Sequence, residues 1–98
     1  MSLLVALTTD LMDRSRLAAA LPDVKFTLDA GADVVILDLA RGVEQVTSVR
    51  ASHPTARIMC YGPHVDDASL EGARAAGADV VLPRSRFFRD PKAAVAPT

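Results

Sequence analysis

The residue with most chemical reach is Asp38, which ends the apolar run Val34-Val35-Ile36-Leu37. A carboxylate at the end of a buried strand is partly shielded from water. It can accept a phosphoryl group, bind a cation or receive an ion pair; equally, it can cap the next helix or pair with Arg84. Asp10 follows the first apolar run in the same way. His64, in a Gly62-Pro63-His64 turn, has the chemistry of a metal ligand or of a general base working with Asp38 or Asp10. The plainer alternative is a solvent-exposed loop histidine. Arg84, Arg86, Arg89 and Lys92 cluster beside Phe87 and Phe88. Arginine and aromatic residues favour interfaces, so Arg86, Phe87 and Phe88 are candidate partner contacts. The competing expectation is one phenylalanine in the core under a solvated basic face. Cys60 lies inside an apolar run and reads as a buried, inert thiol. As the single cysteine it excludes an internal disulfide and a cysteine zinc site. His53 precedes Pro54 at a helix end, where a structural role suits it.

These residues need elements to position them. AGADVVIL at 30–37 and AGADVVL at 76–82 share one grammar, a helix that stops at glycine and enters a buried strand. Four strands are expected: Leu3–Leu7, Asp33–Leu39, Arg57–Tyr61 and Asp79–Leu82. Between them lie helical signals. Asp10 can cap a helix to about Leu21, with Leu11, Leu17, Ala18 and Leu21 near one face. Val43, Val46 and Val49 form a stripe before His53-Pro54. Asp66 or Asp67 can cap a third helix that buries Leu70 and Ala73 and stops at Gly77. Asp90-Pro91 starts a short last one. Alternating strands and helices argue for a parallel α/β sheet. Its strand ends would gather Thr8, Thr9 and Asp10, then Asp38, then Tyr61 to His64, and Pro83 to Ser85, on one rim. Asp23–Ala30 fits poorly: Val24, Phe26 and Leu28 alternate like a strand, yet too few residues follow for a parallel crossover. A reduced sheet with an exposed edge is expected, and with it a homodimer.

Ninety-eight residues make one domain, 1–98, and exclude a full (β/α)₈ barrel. Half the residues are hydrophobic, which argues against disorder. A net charge of −1 and four aromatic residues leave little for nucleic-acid binding. No apolar run is long enough to span a membrane. The first residues lack the positive segment of a signal peptide, so a cytoplasmic location is expected. There is no G-x-G-x-x-G, P-loop or G-x-S-x-G motif.

With Asp38 ending Val-Val-Ile-Leu and Gly77-Ala78-Asp79-Val80-Val81-Leu82 further on, the chain resembles the receiver domain of bacterial response regulators. The resemblance covers most of the chain except Asp23–Ala30. It implies a flavodoxin-like three-layer α/β sandwich with a mainly parallel sheet of four or five strands. It also implies that Asp38 is the phospho-acceptor, and that Tyr61 and Arg84 stand at the switch positions. The departures are specific. Receivers hold Mg²⁺ with an acid pair after the first strand, where this chain has Thr8-Thr9 and only Asp10 beside them. Tyr61 replaces the switch threonine or serine, Arg84 the switch lysine, and Ser85 the proline after it. The expectation is a non-enzymatic regulatory or protein-interaction module with an incomplete phosphorylation site, Thr8, Thr9, His64 and the Phe87–Phe88 region serving as partner contacts. No cofactor is expected. One alternative is a functional single-domain receiver phosphorylated on Asp38, with Mg²⁺ on Asp10 and Asp38. Another is a small ligand-binding protein or enzyme that uses the rim.

Overall fold

Continuous branched apolar runs become strands covered on both faces. The computed structural model describes residues 3–63 and 67–96. The strands are β1 (Leu4–Leu7), β2 (Val34–Asp38), β3 (Arg57–Gly62) and β4 (Val80–Pro83). The helices are α1 (Leu11–Ala20), α2 (Glu44–Ser52), α3 (Asp67–Ala75), α4 (Arg84–Arg89) and α5 (Pro91–Val95), with a 3-10 turn at Leu39–Arg41. The sheet is parallel throughout, in the order β1-β2-β3-β4. Each strand lies within a residue of its expected place. Leu39 leaves β2 because the Asp38 carboxylate accepts from the Ala40 amide (3.0 Å) and caps the turn.

Side chains alternate across the sheet. Val35, Leu37, Ile58, Cys60 and Val81 pack on one face with Val46 and Val49 of α2 and Leu70 and Ala73 of α3. Ala6, Ile36, Met59 and Tyr61 pack on the other with Leu17 of α1, Phe87 of α4 and Val95 of α5. The result is a three-layer α/β sandwich.

Helix α1 corrects the expected apolar face. Leu11 and Ala18 are exposed, and the buried line runs Asp13, Leu17, Leu21. Spacing of four places these residues on one stripe, which an aspartate heads. Asp10 does cap α1, its Oδ1 accepting from the Asp13 amide (3.0 Å). Asp66 lies outside the described residues; Asp67 opens α3. Gly77, with φ of +114°, ends that helical segment as expected. Asp90 caps α5 through the Ala93 amide, with Pro91 at its first position. Helix α4 was not anticipated.

Asp23–Ala30 contributes no strand. Lys25 alone bridges β1, taking the Ala6 amide (2.8 Å) and giving its own to Leu4 (3.0 Å). His53 ties the rest of this segment down: it is buried at the end of α2, and its Nε2 donates to the Asp29 carbonyl (2.8 Å). That role is structural.

Candidate functional site

Register builds the site. Asp38 and Tyr61 are partners across β2 and β3, Tyr61 and Leu82 across β3 and β4, and Leu7 pairs with Leu37 so that Thr8 falls opposite Asp38. Alternation from Ala6, Ile36 and Met59 puts Thr8, Asp38 and Tyr61 on the sheet face that α1 and α4 cover. Thr8 is buried, so it is no partner contact; its hydroxyl donates to Asp38 Oδ2 (2.9 Å) and accepts the Asp10 amide (3.2 Å). Thr9 is exposed. Asp38, only 6% exposed, thus has both carboxylate oxygens engaged, one by Thr8 and one by the Ala40 amide. Its backbone carbonyl accepts from Gln45 Nε2 (2.7 Å).

Arg84 opens α4, but its partner is Asp13 rather than Asp38. Nη1 donates to Asp13 Oδ2 (2.7 Å) and Nη2 to Oδ1, a two-pronged pair. The Tyr61 hydroxyl donates to the same Oδ2 (2.9 Å). Arg84 also lies over the Tyr61 and Phe88 rings, 5.6 and 4.9 Å from their centroids. Burial works against the Asp13 charge, but the Arg84 and Tyr61 hydrogen bonds and the charges of Arg84 and Arg16 hold its carboxyl below the usual range. The Asp13 hydrogen bond raises the Arg84 pKa further, and burial pushes the Tyr61 phenol up.

The remaining candidates divide. Phe87 is fully buried and stacks on Tyr61 (4.9 Å, 9° between planes), so it is core and not a partner contact. Phe88 is half-buried and meets both rings edge-on. Arg86 is exposed. Cys60 is buried, and burial together with the Asp79 charge pushes its thiol up to about 12. His64 lies outside the described residues. Asp13 went unrecognised in the sequence. Its spacing of four from Leu17 and Leu21 was the available signal, because a carboxylate in line with two core leucines must find a cation or donors.

No protein-family model and no curated protein matches the sequence. Solved structures do. A response regulator protein from Burkholderia pseudomallei, whose structure holds a phosphorylated aspartic acid, a calcium ion and citrate, superposes with a TM-score of 0.77 at 18% identity, over 98% of this chain and 67% of that one. The fold is that of a response-regulator receiver domain. A response regulator from Thermotoga maritima gives 0.72 at 13% identity over 99% and 100% of the two chains. The receiver domain of the TMAO respiratory system response regulator TorR gives 0.77 at 15% over 91% and 88%. On this receiver fold, Asp38 ends a central strand and Arg84 follows the edge strand at the same end of the sheet. No helix among the described residues is long and apolar enough to cross a membrane.

Proposed function

We propose that the protein is a non-enzymatic regulatory or protein-interaction module, a receiver scaffold held in one state. The observation that carries this is the Asp13–Arg84–Tyr61 cluster: the one cation at the switch position is occupied by a carboxylate from α1. A switching receiver needs that cation free to meet a new phosphoryl group on its acceptor.

The metal donors support the same conclusion. Mg²⁺ takes one or two carboxylates plus waters and phosphate oxygens in near-octahedral array. Here Thr8 presents a neutral hydroxyl that donates to Asp38, and Asp10 is turned to the α1 amide. Among the described residues no three His, Cys, Asp or Glu side chains converge. The donors therefore do not fit a receiver-type Mg²⁺ site, and no phosphoryl step is derived through one.

The experiment is intact mass after incubation with acetyl phosphate and Mg²⁺. No adduct is the expected result. A phosphoryl adduct that disappears in Asp38→Asn would establish a functional receiver and overturn the proposal. We further propose a cytoplasmic protein that acts as a homodimer. The sparsely paired β1 edge, and the exposed Leu11 and Met12 at the start of α1, support association.

A further inference from the structure

The break between the last two helices opens a basic corner. Helix α4 ends at Arg89 and α5 starts at Pro91, with Asp90 between them at φ −156° and ψ 83°. A concavity of about 490 Å³ lies there, lined by Arg57, Val80, Leu82, Arg86, Arg89 and Asp90, with alanines of the α5 segment completing it. A second, of about 470 Å³, adjoins it at Arg57 and adds Lys92 and Asp33. Arg57 is the first residue of β3, whereas Asp38 pairs with Tyr61, four residues further on. At about 3.3 Å per residue, Arg57 is more than 10 Å along the strands from Asp38, while Leu82, at the other end of the concavity, is level with Asp38 but two strands away.

Among the described residues the cations of this corner make no direct ion pair, although Arg57 lies close enough to Asp79 to favour its charged form. Arg57 Nε is buried with no hydrogen-bond partner. The ion pairs among the described residues are Arg50–Asp79, Arg74–Glu71 and Arg84–Asp13, so Arg57, Arg86, Arg89 and Lys92 form none. Asp90 faces the same space, but its Oδ1 holds the Ala93 amide, as Asp33 Oδ2 holds that of Leu3. Three guanidiniums against one carboxylate leave two positive charges in the larger concavity. Guanidinium forks match phosphate oxygens in pairs.

We infer that this corner binds a small organic phosphate. The charge surplus suits a dianionic phosphate monoester, and the volume lies in the small-ligand range of about 300–1,000 Å³. Val80, Leu82 and the alanines offer an aliphatic floor to the organic body. No aromatic ring lines the space, so a flat base has no stacking platform; a sugar phosphate is the better match. Asp38 does not line the site, and the test does not depend on whether Asp38 is phosphorylated.

The test is a titration of ¹⁵N-labelled protein with ribose 5-phosphate, with ribose and a hexaglutamate peptide as comparison arms. Saturable amide shifts at Val80, Leu82, Arg86 and Arg89 are expected with the phosphate and absent with ribose. Arg57→Met, and separately the double variant Arg86→Gln/Arg89→Gln, should each weaken binding about ten-fold or more. The double variant alters only exposed side chains, and so carries the test should Arg57→Met fail to fold. Shifts that do not saturate, that are equally large at Arg14 and Arg41, or that survive in the double variant would overturn the site. Tighter binding of hexaglutamate would overturn the small-phosphate assignment in favour of an acidic protein surface.

Discussion

At the residue scale, the proposed single-state scaffold rests most on Asp13. It is fully buried, and its charge is tolerable only because Arg84 and Tyr61 satisfy it. Asp13→Asn removes the charge attraction and weakens the fork. Because the Arg84 side chain is 38% exposed, the cost is discounted from that of a dry pair, to about 2 kcal/mol. Urea unfolding with an unchanged m-value checks it. The pH dependence has a definite sign. The folded Asp13 pKa is below its unfolded value of about 3.9, so its contribution is complete above that pH and is lost as pH falls through the lower, folded pKa. Wild type should therefore lose stability more steeply than Asp13→Asn between about pH 4 and pH 2. Equal slopes would remove Asp13 from the account. Cys60 gives a second prediction at this scale. With its thiol pushed up to about 12 and buried, alkylation by iodoacetamide at pH 8 should be negligible in native protein and rapid in urea. Fast native labelling would show that β3 opens locally.

At the element scale, the helix-glycine-strand grammar of the second repeat has a physical basis in Gly77. Its φ of +114° is a conformation that side-chain-bearing residues avoid, and a Cβ there would meet Arg50 Cγ at 3.1 Å. Arg50 is a clasp. Its guanidinium donates to the Gly77 carbonyl (2.9 and 3.1 Å), the Ala56 carbonyl (2.8 Å) and Asp79 Oδ2 (2.6 Å), joining α2, the entry to β3 and the entry to β4. Asp79 also accepts the Ile58 amide (2.8 Å). Gly77→Ala thus combines backbone strain with displacement of the clasp, and should cost about 1–2 kcal/mol in thermal or urea unfolding. No measurable loss would mean that the turn relaxes without disturbing Arg50. The short α4 belongs to this scale too. It carries Arg84 to Asp13 at one end and ends at Asp90 at the other, so one helix of six residues fixes both the Asp13–Arg84–Tyr61 cluster and the edge of the basic corner.

At the scale of the whole molecule, a surface of 5543 Å² agrees with the roughly 5,400 Å² that scaling gives for a folded monomer of this mass. At the β1 edge Lys25 closes one position, and Val24 and Phe26 pack against the cluster under α1. The proposed dimer pairs chains that each hold a core on both sheet faces. Small-angle scattering over a concentration series should then show the mass rising from one chain to two. A constant single-chain mass would remove the dimer while leaving the fold untouched.

The strands, the parallel α/β class and the receiver likeness were legible in the chain alone, because a doubly covered strand must be written as an unbroken apolar run; the helix-to-glycine signal before it was right at Gly77 and wrong at Gly31, where no helix directly precedes β2. The sequence also placed Asp38 correctly at the end of β2 and Cys60 in the core, since both follow from one-dimensional pattern. The pairing of charges was settled by the folded layers alone. Arg84 could meet Asp38, Asp10 or Asp13, residues 46 to 74 positions away in the chain, and no local rule ranks them. The choice fell to Asp13 because α1 turns its buried stripe toward α4 across the sheet, while the Thr8 hydroxyl and the Ala40 amide had already satisfied Asp38. Partnership among distant polar groups is set by packing, and packing is a property of the assembled layers.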